Sequence, residues 1–318
     1  MTVHRYTCQF VPAEIEAALG RRYIIGHEIA AGGQGVVFRA TRTSRTDGTA
    51  ARDVVALKLH FDRRRKIRVQ PEITATENFS HPNLAGLIEH GYCDVAGRHT
   101  RYVAWEFIDG QPLSVLLKNG PLLESEVLAI GRDVSAAIAE IWSRRIVHGD
   151  IKPSNIMLRN CGSHAMVGSV GSAVLIDLGA ARYLGQGNIL SFKPLGRPDR
   201  RSRGPLGTWG YFSPEKLRGT KALSCASDVF SLGVVMLECL LGRHPTNHDQ
   251  LALEEGIRAS GVKLAANVGL LCALDRMLSP LPAFRPNPAE LSRRFQSLRQ
   301  TMQEEFAKGV RAPMKAHD

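Results

Sequence analysis

The sequence predicts an α+β fold in two parts: a small β-rich part with one main helix, then a larger and mostly helical part. Two patterns indicate this. Apolar residues form strand-like runs over the first third of the chain, and beyond residues 109–110 they recur at helical spacings of three and four. In addition, 318 residues with 44% hydrophobic content can bury a core large enough for both parts.

The β-rich part begins with a short helix predicted over residues 12–19, because a proline stands in its first turn and Gly20 follows it. The main helix is predicted over residues 71–79, where a proline again stands at the first position. Residues 41–52 are polar and predict an exposed turn. Runs of apolar residues predict strands within 23–37, where a glycine-rich turn separates two of them, and over 54–59 and 102–108.

The second part shows helical periodicity over residues 113–117, 123–142, 230–241 and 289–306. The glycine-rich stretch 161–172 predicts a loop inserted between two short strands. We therefore expect four segments: an N-terminal extension over 1–20, a β-rich lobe over 21–108, a helical lobe over 109–306, and a tail over 307–318.

The formal charge of +11 could indicate a polyanionic partner, and basic residues concentrate at 63–68 and 197–203. Solvated loops or helix ends explain such runs equally well. No zinc-finger spacing or RNP-type aromatic signature accompanies them, so nucleic acid is not expected to be the main partner. The sequence does not predict an oligomeric state.

Several features favour a cytoplasmic protein without a membrane span. No run of eighteen apolar residues is present, and the N-terminus lacks the pattern of a secretory signal. The six cysteines form no CxxC pair, which favours reduced thiols over disulfides or a zinc site.

The motif HGDIKPSN at residues 148–155 spaces an acid, a cation and a carboxamide as a phosphoryl-transfer loop requires. Asp150 could orient a hydroxyl, Lys152 could neutralise a migrating phosphoryl group, and Asn155 could ligate Mg²⁺. Asp177 follows an apolar strand and could hold a hard cation, although a turn aspartate often only caps its own loop.

Two further signals lie in the β-rich part. Gly32, Gly33 and Gly35 between two strands would allow close approach of a triphosphate, but a hairpin turn also explains them. Lys58 ends an apolar strand and would need an anionic partner unless its ammonium reaches solvent.

Taken in order, VALK at 55–58, HPN at 81–83, HGDIKPSN, IDLG at 176–179 and GTWGYFSPE at 207–215 resemble the eukaryotic-like (Hanks-type) serine/threonine protein kinase family, in a form similar to its bacterial members. The resemblance covers residues 23–306. It implies a protein-kinase-like bilobal fold that uses ATP and Mg²⁺, with Mn²⁺ as an alternative ion. The implied reaction transfers the ATP γ-phosphoryl group to Ser/Thr hydroxyls of a protein substrate, with autophosphorylation.

The resemblance also implies roles for individual residues. Asp150 and Lys152 would be catalytic, and Asn155 and Asp177 would bind the metal. Lys58 would contact the phosphates and pair with Glu72, or with Glu77 if the helix register differs by one turn.

The nucleotide itself would lie against a second set of residues. Gly32 and Gly35 would cover the phosphates, with Ala30 replacing the first glycine of the family's loop. The adenine would contact Val37, Ala56 and Met157, and the backbone of Glu106 to Ile108 would hydrogen-bond to it. Trp105 would close the pocket behind the base.

Three residues are expected to support the structure: Glu215 as an ion pair with Arg285, Asp228 as an anchor of the catalytic loop, and Thr208 as a brace. Gly149 departs from the family, which has an arginine there. A pseudokinase scaffold is the alternative function, but it commonly lacks one of the residues Lys58, Asp150 or Asp177, and all three are present.

Overall fold

The computed structural model describes residues 10–32, 35–43, 53–60, 79–160, 171–178, 182–184, 209–218, 224–245 and 267–309. The helix predicted over 71–79 lies almost wholly outside these ranges, as do the two basic runs and most of the turn predicted over 41–52. The chain divides into two units, of which the first comprises residues 1–80 and 85–108 and the second comprises His81–Leu84 and Asp109–Asp318.

The first unit is built on a five-stranded antiparallel sheet in the order β1-β2-β3-β5-β4. Runs of apolar residues explain these strands, since strand side chains alternate between the two faces of the sheet and can be buried on one face or on both. The strands are β1 (Tyr23–Gly32), β2 (Gly35–Arg42), β3 (Val54–His60), β4 (Leu87–Val95) and β5 (Arg98–Glu106).

A short helix, α1 (Pro12–Ala18), packs on β1 and β4 and belongs to the core of this unit. Its Ile15 and the following Leu19 are buried among the inward residues of β2 and β3, including Phe38 and Leu57. The carboxylate of Glu16 accepts a hydrogen bond from the backbone N–H of Ile25 at 2.8 Å, which ties the helix to β1.

The second unit is mostly helical and contains short strands. Its helices are α2 (Leu113–Leu116), α3 (Glu124–Ser143), α4 (Pro214–Leu217), α5 (Cys225–Leu241), α6 (Val268–Met277) and α7 (Pro288–Ala307). Its strands are β6 (Gly110–Pro112), β7 (Ile146–Val147), β8 (Ile156–Arg159), β9 (Ala173–Leu175) and β10 (Arg182–Tyr183), in a three-stranded sheet β6-β8-β9 and a pair β10-β7.

Helix α3 is central to the second unit, where it packs against α7 and α5. Gly131 of α3 makes this packing close, because a Cβ there would press on the side chains of Met236 and Phe295. Helix α5 begins where Ser224 accepts a hydrogen bond from the N–H of Ala226, and it ends at Gly242 in the left-handed conformation.

The helix predictions agree with these bounds to within a few residues where the structure describes them. Strand β5 begins four residues before the predicted 102, and β2 continues past the predicted 37 to Arg42, so Thr41 and Arg42 belong to a strand and not to the predicted turn. Helix α5 begins five residues earlier than the predicted 230, because the polar first turn from Cys225 carries little apolar signal. Strand β4 and helix α6 are not among the predicted elements. Most side chains of β4 are only partly buried, so it lacks the strict alternation that identifies a strand.

Candidate active site

The loop that carries the HGDIKPSN motif runs from β7 to β8. A 3₁₀ turn at Pro153–Asn155 ends the loop just before β8. Asp228 near the start of α5 anchors the loop: its two carboxylate oxygens accept the backbone N–H groups of His148 at 2.8 Å and Gly149 at 2.9 Å. The prediction that Asp228 anchors this loop is therefore confirmed.

Two of the three polar residues singled out in the motif converge on one carboxylate oxygen of the third, Asp150. The Lys152 ammonium lies 2.7 Å from Oδ2 of Asp150, and the Asn155 amide donates to the same oxygen at 3.0 Å. The Asn155 amide also donates to the backbone carbonyl of Asp150 at 2.8 Å. Within the described ranges, Oδ1 of Asp150 accepts no hydrogen bond and is thus available to a substrate hydroxyl.

Asp177 lies next to this loop because the backbone of the preceding residue, Ile176, makes two hydrogen bonds to the loop. The N–H of Ile176 donates to the carbonyl of Asn155 at 2.9 Å, and the ring Nε2 of the buried His148 lies 3.1 Å from the carbonyl of Ile176. Asp177 has φ of 61°, in the left-handed region that aspartate tolerates better than most residues.

Asn155 and Asp177 offer the hard oxygen ligands that Mg²⁺ prefers. Because the Asn155 amide nitrogen faces Asp150, its carbonyl oxygen is left to face a cation. The donor set therefore fits the predicted metal. Within the described ranges, His, Cys, Asp and Glu form no cluster of three that could hold a metal ion, so a bound ion would need further oxygen ligands such as phosphates or water.

Burial raises the pKa of Asp228, and this rise is opposed by the charge of His148, by the two backbone N–H donors and by the charge of Lys216. These donors compensate the desolvation of the carboxylate, since a buried charge is tolerated only when it is paired.

The predicted ion pair between Glu215 and Arg285 is confirmed. Two guanidinium nitrogens of Arg285 lie 2.7 and 2.8 Å from the two carboxylate oxygens of Glu215, and the Ser227 hydroxyl donates to the same carboxylate. Burial raises the pKa of Glu215, but the hydrogen bonds and charge of Arg285 outweigh burial, so this pKa lies below its ordinary value.

In the first unit, most of the predicted nucleotide residues share one face of the sheet. Val37 pairs with Lys58, and Lys58 pairs with Val103 on the next strand. Ala56 pairs with Trp105 in the same way. Directly paired residues project to the same side of a sheet, and this side is opposite to the one that α1 covers.

The glycine-rich turn joins β1 to β2. Ala30 pairs with Val37 and Gly32 pairs with Gly35, and residues 33–34 between them lie outside the described ranges. A side chain at Gly35 would overlap the carbonyl oxygen of Leu59 on β3, so this glycine has a packing reason of its own.

The remaining adenine residues fall in both units. Glu106 ends β5, where its carboxylate accepts the N–H of Gly86 at 3.2 Å, and Ile108 is the buried last residue of the first unit. Met157 belongs to the second unit, on β8, where it pairs with Pro112 and Val174.

Glu72, its alternative Glu77 and Thr208 lie outside the described residues. The structure also holds contacts that the sequence did not predict. Lys216 donates a hydrogen bond to the carbonyl of Gly149, and the Tyr211 hydroxyl donates to Glu238 at 2.6 Å. No local pattern indicates these contacts, since the partners are 67 and 27 residues apart.

Comparison with known families agrees with this geometry. The family model described as "Protein kinase domain" matches residues 23–304, which is most of the chain. The chain therefore belongs to the protein kinase family, and its α+β fold is confirmed as the protein-kinase fold.

The matched relatives are bacterial serine/threonine-protein kinases. The chain is 28% identical to "Probable serine/threonine-protein kinase PknB" of Lactococcus lactis over 72% of this chain and 33% of the relative. It is 30% identical to PrkC of Bacillus subtilis over 70% of this chain and 31% of the relative, and 30% identical to PknL of Mycobacterium tuberculosis over 73% and 52%. The aligned region thus spans a third to a half of these relatives.

Proposed function

We propose that the chain is an active serine/threonine protein kinase that transfers the ATP γ-phosphoryl group to Ser or Thr hydroxyls of a protein substrate. The observation that carries this proposal is the convergence of Lys152 and Asn155 on one carboxylate oxygen of Asp150. This arrangement fixes the aspartate and leaves its other oxygen for the incoming hydroxyl.

In the proposed reaction, Oδ1 of Asp150 accepts a hydrogen bond from the substrate hydroxyl and takes its proton as the phosphoryl group is transferred. Lys152 lies 2.7 Å from the same carboxylate and would neutralise charge on the migrating group. Asn155 and Asp177 would hold Mg²⁺, with Mn²⁺ as an alternative. When bound, the ion would neutralise charge on the phosphate oxygens.

The nucleotide contacts are assigned within the same proposal. Lys58 would bind the α- and β-phosphates, and the backbone of Gly32 and Gly35 would cover them. The adenine would contact the side chains of Val37, Ala56 and Met157, together with the backbone of Glu106 and Ile108. Glu72 is proposed as the partner of Lys58.

The proposal places this activity in the cytoplasm. The described cysteines, Cys93, Cys225, Cys239 and Cys272, are free thiols. Within the described ranges, no helix is both long and apolar enough to cross a bilayer.

The test is phosphoryl transfer from labelled ATP with Mg²⁺, to the chain itself and to a library of Ser- and Thr-containing peptides. We expect Asp150→Asn to lower the rate by about 100-fold or more, since a general base contributes about 10²–10⁴. Lys58→Met should also abolish labelling. The matched control is Asp94→Asn, whose carboxylate is 72% exposed and which should retain full activity.

Mass spectrometry should find the label on Ser and Thr. A folded wild-type chain that binds ATP but transfers no phosphoryl group would support the scaffold alternative instead. Equal activity in the wild type and Asp150→Asn would also contradict the proposal.

A further inference from the structure

Lys216 on the short helix α4 reaches the loop that carries Asp150. Its ammonium donates a hydrogen bond to the carbonyl oxygen of Gly149 and lies 3.7 Å from the centre of the Phe212 ring. The ring face attracts the cation, so both contacts help to fix the position of the ammonium.

Gly149 needs external support because glycine is the residue type with the fewest restrictions on its backbone conformation. It has φ of 75°, a left-handed conformation, and glycine has no side chain that could hold this conformation in place. Its N–H donates to Asp228 at 2.9 Å, and its carbonyl accepts from Lys216. Side chains of opposite charge, from α5 and α4, therefore hold the two polar groups of this residue.

The peptide group between Gly149 and Asp150 is held at both of its polar atoms. Lys216 binds the carbonyl oxygen, and the N–H of Asp150 lies 3.3 Å from Nδ1 of His148. Rotation of this peptide would displace the Cα–Cβ bond of Asp150 and hence its carboxylate. A displacement of about 1 Å can cost about 100-fold in rate.

We propose that Lys216 is a positioning residue for phosphoryl transfer, which holds the Gly149–Asp150 peptide so that the Asp150 carboxylate faces the substrate hydroxyl. This inference rests on the proposed kinase activity. Lys216 acts through the backbone of the loop and need not touch ATP or the substrate.

The variants that test this are Lys216→Met, Lys216→Arg and the control Lys308→Met, which removes an exposed lysine at the end of α7. We expect Lys216→Met to lower kcat by about 10- to 100-fold while the KM for ATP changes less than about twofold. Arginine can donate to a carbonyl and stack on an aromatic ring, so Lys216→Arg should recover most of kcat. Lys308→Met should match the wild type.

A second measurement reports on the loop without catalysis. Hydrogen–deuterium exchange of a peptide spanning residues 146–152 should be faster in Lys216→Met than in the wild type, the arginine variant and the control. The thermal midpoint should be similar in all four proteins.

The outcomes separate the two proposals. If the wild type is active, a Lys216→Met variant with unchanged kcat overturns the positioning role. The positioning role is also overturned if kcat falls only in proportion to the loss of folded protein. It is overturned as well if Lys216→Arg does not restore kcat. If the wild type is inactive, the proposed function fails, and exchange at 146–152 alone decides whether Lys216 holds the loop.

Discussion

At the scale of single residues, the backbone conformation of Gly149 constrains the loop that carries Asp150. Its φ of 75° is readily adopted by glycine but is costly for residues with a Cβ. The family's arginine at this position offers a cation for an activation-loop phosphate, and a glycine cannot. We therefore expect activity that does not depend on phosphorylation acting through this position.

Replacing Gly149 by alanine should destabilise the protein and also reduce catalysis. A left-handed alanine costs about 1–2 kcal/mol, and relief of that strain would turn the peptide that leads to Asp150. Gly97 offers a matched control, since it also has φ of 75° and has open space around it in the turn between β4 and β5.

Denaturant unfolding should show losses of about 1–2 kcal/mol in both Gly149→Ala and Gly97→Ala. Steady-state kinetics should show a fall in kcat for Gly149→Ala alone. Equal kcat values for the two variants would contradict the importance of this backbone conformation.

At the scale of elements, the ion pair of Glu215 and Arg285 joins α4 to the segment that leads into α7. The Arg285 side chain is fully buried and also donates to the backbone carbonyls of Ser279 and Ala226. Such a pair contributes little net stability when intact, but the loss of one partner leaves a buried charge without compensation.

Glu215→Gln should lower the free energy of unfolding by about 3–5 kcal/mol at pH 7. The pKa of Glu215 is lowered in the folded protein relative to its ordinary value of 4.5. Ionised Glu215 therefore stabilises the fold above that ordinary value, and this contribution is lost as the pH falls through the folded-state pKa.

The difference in unfolding free energy between the wild type and Glu215→Gln should thus be largest near neutral pH and shrink on acidification. Denaturant unfolding from pH 7 down to about pH 3 measures it. The exposed Glu304 provides the control, because Glu304→Gln should change stability by no more than about 0.5 kcal/mol at any of these pH values. A difference that stays constant with pH would contradict the role assigned to Glu215.

At the scale of the whole molecule, the proposed nucleotide and metal contacts come from both units. Lys58 lies on the sheet of the first unit, and Asp177 follows β9 in the second. A ligand that binds only the folded chain stabilises it by mass action, by about 2.7 kcal/mol at a concentration of 100 times its Kd.

ATP with Mg²⁺ should therefore raise the thermal midpoint of the wild type. The variants Lys58→Met and Asp177→Asn should each lose most of this increase in the thermal midpoint, although the two substituted residues belong to different units. The control Asp94→Asn should keep it, and a scan without Mg²⁺ should show whether the Asp177 effect depends on the ion. A full thermal shift in either variant would exclude that residue from the binding site.

The sequence was sufficient to predict the fold, because apolar runs and helical spacing are local patterns, and the HGDIKPSN motif is a local pattern as well. It was not sufficient for Lys216, whose contact with Gly149 spans 67 residues and depends on how α4 packs. Strand β4 escaped prediction since its partly buried side chains, such as Ile88 and His90, give no clear alternation.

The close approach of β2 and β3 at Gly35 affects how a mutational scan of the glycine-rich turn should be interpreted. Any larger residue at Gly35 must push apart two paired strands before it meets a phosphate. Intolerance at this position would therefore report on strand packing, whether or not the chain binds a nucleotide. Ala30, which lies on β1 beside the turn, is exposed and already has a side chain, so substitutions there do not meet this packing conflict.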